Sequence, residues 1–173
     1  MPDKSKDFVP LSDLVLAAKG SVATLSNDVL VKLSEQALAH QMKKARILLH
    51  GKSDHALHEM LITHSRGRYI RPHINESSAK SFLVLEGEMM VLLFDDDGTV
   101  SDKYLLGQQK SGADFLLRFQ GPVFHTIVVV SETVIFLETI LGPHHQTRYA
   151  DFAPDPEDDA ASSYFAWLEN ESH

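Results

Sequence analysis

The chain has 173 residues, no cysteine and a formal net charge of −8, and 43% of its residues are hydrophobic. This composition is typical of one globular domain with its own core, and it excludes disulfide bridges, cysteine-ligated metal sites and thiol nucleophiles. The 24 acidic residues outnumber the 16 basic ones, which argues against nucleic-acid binding, because phosphate contacts need clustered Lys and Arg. Without an export-signal pattern or a long apolar run, we expect a cytoplasmic protein that does not contact membranes.

The beginning of the chain predicts an arm followed by a helix. Residues 1–25 have mixed charge and are interrupted by two prolines and a glycine, which indicates an N-terminal arm with a short helical patch. Apolar residues at helical spacing between Ser26 and Lys44 predict one amphipathic helix that Ser26 or Asn27 can cap. Residues 26–50 are therefore expected to form this helix and the first strand.

The central part of the chain has the pattern of an all-β domain. Short β-branched or aromatic runs follow one another and are separated by glycine-containing turns, at 46–50, 60–64, 69–71, 82–94, 100–106, 115–119, 124–130 and 134–141. Such a series predicts a sandwich or barrel rather than alternating strands and helices. We assign residues 51–150 to a barrel and residues 151–173 to a loop and short helix packed against it.

Two of the predicted strands begin with a histidine. His73 and Asn75 lie on the same face of their strand, because side chains alternate along a strand with a period of two. His125 follows Gly121 and Pro122 about fifty residues later and begins a second strand. In a closed antiparallel barrel, these two strand starts can meet at one interior point.

These residues resemble the two sequence motifs of the cupin superfamily. The first motif is a glycine, five residues, His-x-His, a glutamate four or five residues later, six residues and a second glycine. The corresponding residues here are Gly67, His73, Asn75, Lys80 and Gly87. The second motif is a Pro- and Gly-containing turn two residues before a histidine, and Gly121, Pro122 and His125 resemble it with Gly and Pro in altered order.

The wider sequence resembles WbuC-type cupins over about residues 28–155, including Phe82–Gly87 and Phe136–Pro143. The resemblance implies a cupin jelly-roll (double-stranded β-helix) barrel with an N-terminal amphipathic helix and a short C-terminal helix. It also implies a sugar or sugar-nucleotide ligand in polysaccharide or O-antigen metabolism. Cupins often pair through edge strands and terminal arms, so we expect a homodimer supported by the first 25 residues.

The resemblance also implies a divalent metal (zinc, iron, manganese or nickel), since cupins of this kind hold one with three His and one Glu. Here Asn75 and Lys80 replace two of these ligands, and a lysine ammonium has no lone pair and repels a dication. Only His73 and His125 remain as metal ligands. Three alternatives stay open: a metal-free polar pocket, substitute ligands such as His64, His50 or Glu138, and weak binding completed by water and substrate.

Other polar residues are candidates for the same pocket. Glu138 lies among apolar neighbours on a strand, which indicates either a pocket acid or a structural ion pair with Arg71 or Lys80. Glu138 and Lys80 are therefore the catalytic candidates. Asn75, Arg71 and His64 are the ligand-binding candidates, although His64 also fits a structural role.

Two further groups of residues are close in sequence to the residues of the expected pocket. Arg66, Arg68 and Arg71 are close in sequence and could receive a phosphate or carboxylate, but exposed turns also explain the first two. His144 and His145 follow Gly142 and Pro143 and are expected in an exposed loop.

The leading functional hypothesis is a small-molecule-binding cupin with a His/Lys/Glu pocket. If the chain is an enzyme, these residues favour proton transfer, as in epimerisation or isomerisation. The alternative is a metal-dependent cupin oxygenase or isomerase that uses His73 and His125 with substitute ligands. A third class is a structural or regulatory barrel whose partner is another protein.

Overall fold

The computed structural model describes residues 7–75, 79–142 and 147–172. His144 and His145 therefore lie outside the described residues. Within these ranges the secondary structure is mainly β, with a helix near each end. The elements are β1 (Phe8–Ser12), β2 (Val15–Ala18), α1 (Asn27–Ala39), β3 (Lys44–Leu48), β4 (Leu57–Ser65), β5 (His73–Asn75), β6 (Ala79–Glu86), β7 (Glu88–Phe94), β8 (Val100–Gly107), β9 (Leu116–Gln120), β10 (Phe124–Val129), β11 (Thr133–Leu141), β12 (Thr147–Tyr149) and α2 (Ala161–Glu171).

The strands form two sheets. The larger sheet has the order β1-β2-β3-β4-β11-β6-β9, and the smaller one has the order β12-β5-β10-β7-β8. The named strand pairs are antiparallel except for β2 and β3, which run parallel. Strands distant in sequence are neighbours, such as β4 with β11 and β5 with β10, so the arrangement is jelly-roll-like.

The main core lies between the two sheets because each central strand turns one apolar face inward. In β10, Ile127 and Val129 belong to this core, and His125 shares their face by the two-residue alternation. Phe124 and Val128 face the other way, into a second cluster that includes Leu168 of α2. The strand is therefore buried on both faces, which explains its unbroken apolar sequence.

Helix α1 covers the outer face of the larger sheet. Its buried residues Leu33 and Ala37 pack with Ala45 and Ile47 of β3 and Ile135 of β11. The opposite face of the same strands then points toward the smaller sheet. No helix in the described ranges is long and apolar enough to cross a membrane.

Gly87 lies where the chain passes from β6 in the larger sheet to β7 in the smaller one. Its φ is +76°, in the left-handed region, and a Cβ at this position would lie 2.1 Å from the Thr133 carbonyl oxygen. Only glycine accepts both the backbone conformation and the close approach. Gly87 therefore divides the apolar 82–94 run into β6 and β7.

The mainly β architecture and both helices are confirmed, but three local predictions are wrong. The predicted arm is not helical between residues 8 and 18; it forms β1 and β2, because Phe8 and Ala18 join the cluster under α1. The first helix ends at Ala39 instead of Lys44, which already belongs to β3. The strand expected at 69–71 begins later, at His73.

Candidate functional site

The two histidines of the predicted motifs are direct neighbours across two strands. His73 on β5 pairs with His125 on β10 in antiparallel register. Both side chains share the inward face, and their ring centroids are 4.6 Å apart, at an interplanar angle of 51°. The predicted meeting of two distant strand starts is thus present in the fold.

Backbone carbonyls orient both rings. His73 Nδ1 lies 3.0 Å from the Arg71 carbonyl oxygen, and His125 Nδ1 lies 2.9 Å from the Val123 carbonyl oxygen. A carbonyl can only accept, so each Nδ1 carries the proton and donates it, and each Nε2 keeps a free lone pair in the neutral ring. The arrangement therefore presents two Nε2 acceptors to the interior.

The ammonium group of Lys80 is held between His125 and Glu138. Lys80 Nζ lies 3.0 Å from His125 Nε2 and 3.2 Å from Glu138 Oε2. The side chains of Lys80 and Glu138 are only 3% and 14% exposed. The ammonium donates to both groups, and this buried charge is compensated by the carboxylate.

The strand register explains how these groups meet. On the larger sheet, Lys80 of β6 faces Ile140 of β11, and Glu138 faces Phe82. Residues 138 and 140 therefore share the inward face with residues 80 and 82, directly under β5 and β10. Phe82 also contacts this cluster, with its ring centroid 6.1 Å from that of His125 and 5.4 Å from Lys80 Nζ.

A cavity of about 360 Å³ opens next to this cluster. His73, His125 and Glu138 line its polar end together with His64, and Lys80 lies behind them. Its apolar wall includes Ile62, Ile70, Phe82, Ile127 and Phe136. A cavity with this volume, an apolar wall and a few convergent polar groups has the character of a small-molecule site.

Burial and local positive charge keep the cavity histidines neutral. Burial, followed by the positive charge of Lys80, lowers the pKa of His73 to about 4. The same two causes hold the pKa of His125 well below its usual range. Burial, and then the charges of Arg68 and Lys44, do the same to the pKa of His64. At neutral pH all three rings are therefore uncharged hydrogen-bonding groups.

The other predicted site residues lie in different surroundings. His64 lines the cavity, and its buried Nδ1 has no hydrogen-bond partner among the described residues. Asn75 donates to Thr147 Oγ1 at 3.4 Å and is not part of the cavity lining. Arg71 forms an ion pair with Asp155 at 3.2 Å and lines an adjoining cavity of about 350 Å³, which also contacts His73.

Two alternatives that the sequence left open are not formed: His50 does not line the cavity, and Arg71 is not the ion-pair partner of Glu138. His50 stacks on His58 with ring centroids 4.1 Å apart, and its Nδ1 donates to the Glu59 carbonyl oxygen at 3.0 Å, away from the cavity lining. The predicted structural pair of Glu138 is formed with Lys80, whereas Arg71 pairs with Asp155. Glu138 is thus both ion-paired and exposed to the cavity.

Sequence reasoning missed Lys44 and Arg46, which line the cavity from β3. Both lie on the inward side of a strand whose other face, Ala45 and Ile47, packs under α1. The alternation of Lys44, Arg46 and Leu48 with small and apolar residues was the available signal. This alternation was missed because the sequence predicted that the strand begins only at residue 46, whereas it begins at Lys44.

The residues present do not fit a tightly held divalent metal ion. A dication needs three or four lone-pair donors, and here His125 Nε2 and Glu138 Oε2 already accept from the Lys80 ammonium. The described residues contain no group of three or more His, Asp or Glu side chains with the geometry to bind a metal. A metal at this point would also meet the positive charge of Lys80.

Comparison with known proteins agrees with the fold. A family model described as "Domain of unknown function (DUF6016)" matches residues 25–106. No curated protein sequence matches the chain. Among solved structures, oxalate oxidase is similar with a TM-score of 0.51 and 11% identity, over 76% of this chain and 68% of that chain. Oxalate oxidase in complex with the substrate analogue glycolate gives a TM-score of 0.50 at 12% identity over the same shares.

A cupin superfamily protein from Desulfitobacterium hafniense DCB-2 is also similar, with a TM-score of 0.48 and 14% identity over 77% of this chain and 98% of that one. The likeness to oxalate oxidase shows that this chain shares its overall fold. Procruciferin, an 11S globulin from Brassica napus, gives a TM-score of 0.46 and 17% identity over 54% of this chain. The match covers only 23% of the length of procruciferin. Within this fold, the predicted motif positions 73, 80 and 125 lie together between the sheets.

Proposed function

We propose that this chain is a small-molecule-binding cupin and that its ligand occupies the 360 Å³ cavity between the sheets. The observation that carries the proposal is the polar end of this cavity, where His73, His125 and Glu138 converge next to an apolar wall. Neutral imidazoles and a carboxylate can orient a ligand that carries hydroxyl groups. The resemblance to WbuC-type cupins supports a sugar or a sugar nucleotide as the ligand class.

The chemistry that suits this arrangement is proton transfer within an isomerisation or epimerisation. Glu138 is the group that takes up and returns the ligand proton, because its carboxylate lines the cavity. Lys80 acts as a positioning residue, since it holds Glu138 and His125 from behind the cavity. His73 and His125 orient the ligand as neutral rings.

The proposal includes the complete cupin barrel and the homodimer that the sequence resemblance implies. β1 and β9 are the edge strands of the larger sheet, and an edge strand has unpaired backbone groups that a second copy can pair with. The metal-dependent oxygenase or isomerase remains the competing function. It would require a metal that displaces the Lys80 ammonium from His125 and Glu138.

The proposal is tested by calorimetry with a panel of sugars, sugar phosphates and sugar nucleotides. We expect at least one member to bind, and Glu138→Gln to weaken it by roughly tenfold, because the substitution removes a charged acceptor. Glu171→Gln is the matched control, since Glu171 pairs with Lys103 on the surface. Exchange of a ligand proton with D2O, followed by NMR and lost in Glu138→Gln, identifies turnover.

Two results would contradict the proposal. One is that no member of the panel binds. The other is that Glu138→Gln and Glu171→Gln have the same affinity as the unmodified chain, which would place the ligand outside this cavity. Binding without proton exchange would keep the binding function and remove the enzymatic one.

A further inference from the structure

Three cations and a neutral histidine form a cluster, called here the basic rim: Lys44, Arg46, Arg68 and His64. Each of them lines the cavity. Lys44 on β3 is directly opposite His64 on β4, and Arg46 is two residues further along the same face of β3. Arg68 follows the turn after β4 and donates from Nη1 to the Met42 carbonyl oxygen.

No carboxylate of the described residues forms an ion pair with the basic rim. The ion pairs among the described residues join Arg71 to Asp155, Lys80 to Glu138 and Lys103 to Glu171, and none includes a residue of the rim. Glu138 is the carboxylate in the cavity lining, and Lys80 already neutralises it. The cavity is therefore positive, in a chain whose net charge is −8.

The cations of the basic rim lie close enough to repel one another, and this repulsion affects their pKa values. Burial, and then the charges of Arg68 and Arg46, lower the pKa of Lys44. Burial and the charge of Arg46 lower the pKa of Arg68. Like charges this close are a cost to folding unless a negative group is bound between them.

Two buried polar atoms in the rim also lack a partner. His64 is 9% exposed, and its Nδ1 makes no hydrogen bond within the described residues; the same holds for Arg68 Nε. Buried donors without partners are rare in proteins and leave room for an acceptor from a ligand. The unpaired nitrogen of His64 and the three cations all favour a negatively charged ligand group that accepts hydrogen bonds.

We propose that the basic rim is an anion-binding subsite that holds a phosphate group of the cavity ligand. One guanidinium group can donate two parallel hydrogen bonds to two oxygens of a phosphate. The three cations also attract a phosphate group, which carries about two negative charges. The inference rests on the proposed function, because it places the phosphate of that ligand at the rim and the remainder against Glu138 and His73. Electrostatic focusing in a positive cleft also raises the association rate of such a ligand.

The sequence suggested a different arginine cluster for this role. Arg66, Arg68 and Arg71 are close in sequence, but Arg66 donates from Nε to the Ser131 carbonyl at 3.3 Å, and Arg71 is paired with Asp155. Arg68 alone of the three lines the 360 Å³ cavity between the sheets. The rim is completed by β3, which lies more than twenty residues earlier in the chain.

The subsite is tested with inorganic phosphate and diphosphate as probes, by calorimetry at constant ionic strength, with acetate as the comparison anion. We expect phosphate and diphosphate to bind more tightly than acetate. Arg46→Gln and Arg68→Gln should each weaken them by roughly tenfold. Arg118→Gln is the matched control, because Arg118 is exposed on β9 and the substitution makes the same change in net charge. Arg46 is exposed on β3, so its replacement tests the subsite even if Arg68→Gln disturbs the turn.

Absence of phosphate binding, or equal weakening by Arg118→Gln and Arg46→Gln, would overturn the subsite. The outcome is separable from that of the proposed function, because inorganic phosphate does not need Glu138. Phosphate binding that depends on Arg46, with no sugar compound bound, would keep the subsite and contradict the sugar ligand. Binding of a sugar compound that depends on Glu138 but not on Arg46 would support the sugar ligand and contradict the subsite.

Discussion

Replacement of Lys80 by methionine is expected to lower the free energy of unfolding by about 3 kcal/mol, because it leaves the buried Glu138 carboxylate without its cation. His125 Nε2 also loses its donor. Chemical denaturation at pH 7 measures the change. Lys103→Met is the matched control: its partner Glu171 is at the surface, both side chains are about a third or more exposed, and the expected loss is under about 1 kcal/mol.

A second substitution separates the ion pair from the packing of the lysine stem. Addition of Glu138→Leu to Lys80→Met should recover most of the lost stability, since an apolar pair of similar volume avoids the unpaired charge. Equal effects of Lys80→Met and Lys103→Met would contradict the buried ion pair. So would a double variant that is as unstable as the sum of the two single variants.

The stability of the chain should fall steeply between pH 7 and pH 5. His64, His73 and His125 have lowered pKa values in the folded protein, so the unfolded chain binds more protons below its ordinary histidine pKa of about 6.5. Stability from these groups is therefore fully present above that pH and is lost as the pH decreases. For His73 the loss continues to its folded pKa of about 4.

The expected slope is about 1.4 kcal/mol per pH unit for each histidine that stays neutral on folding, so the three together should remove several kcal/mol by pH 5. Denaturation curves at closely spaced pH values measure it. His73→Gln and His125→Gln should each reduce this slope by about 1.4 kcal/mol per pH unit, which corresponds to one proton, whatever they do to the stability at pH 7. A stability that is constant from pH 7 to pH 5 would contradict the neutral, buried state of these rings.

The sequence predicted the mainly β fold because short β-branched or aromatic runs and glycine turns are local features. The meeting of His73 and His125 was inferred from two strand starts in a closed antiparallel barrel, and the two residues form a direct strand pair. A bend at Gly87, where the chain crosses between the sheets, was also predictable, because this glycine interrupts a long apolar run. Its φ and its contact with Thr133 leave no room for another residue.

Other features depend on tertiary contacts that no local pattern contains. β1 and β2 were hidden because their short sequence becomes a hairpin only when Phe8 packs under α1. The sequence does not show where the Lys80 side chain points. The register of β6 and β11 places its ammonium against Glu138. Lys44 and Arg46 were overlooked because their strand begins earlier than its apolar pattern suggests.

The central claim is that the Lys80 ammonium, and not a divalent ion, is the cation held by His125 and Glu138. Elemental analysis of protein purified without chelators, after growth with added zinc, iron, manganese and nickel, tests it most directly. We predict well under one metal ion per chain, and more in Lys80→Glu, which removes the ammonium and adds a carboxylate ligand. Near-stoichiometric metal in the unmodified chain, lost in His73→Ala, would contradict the claim.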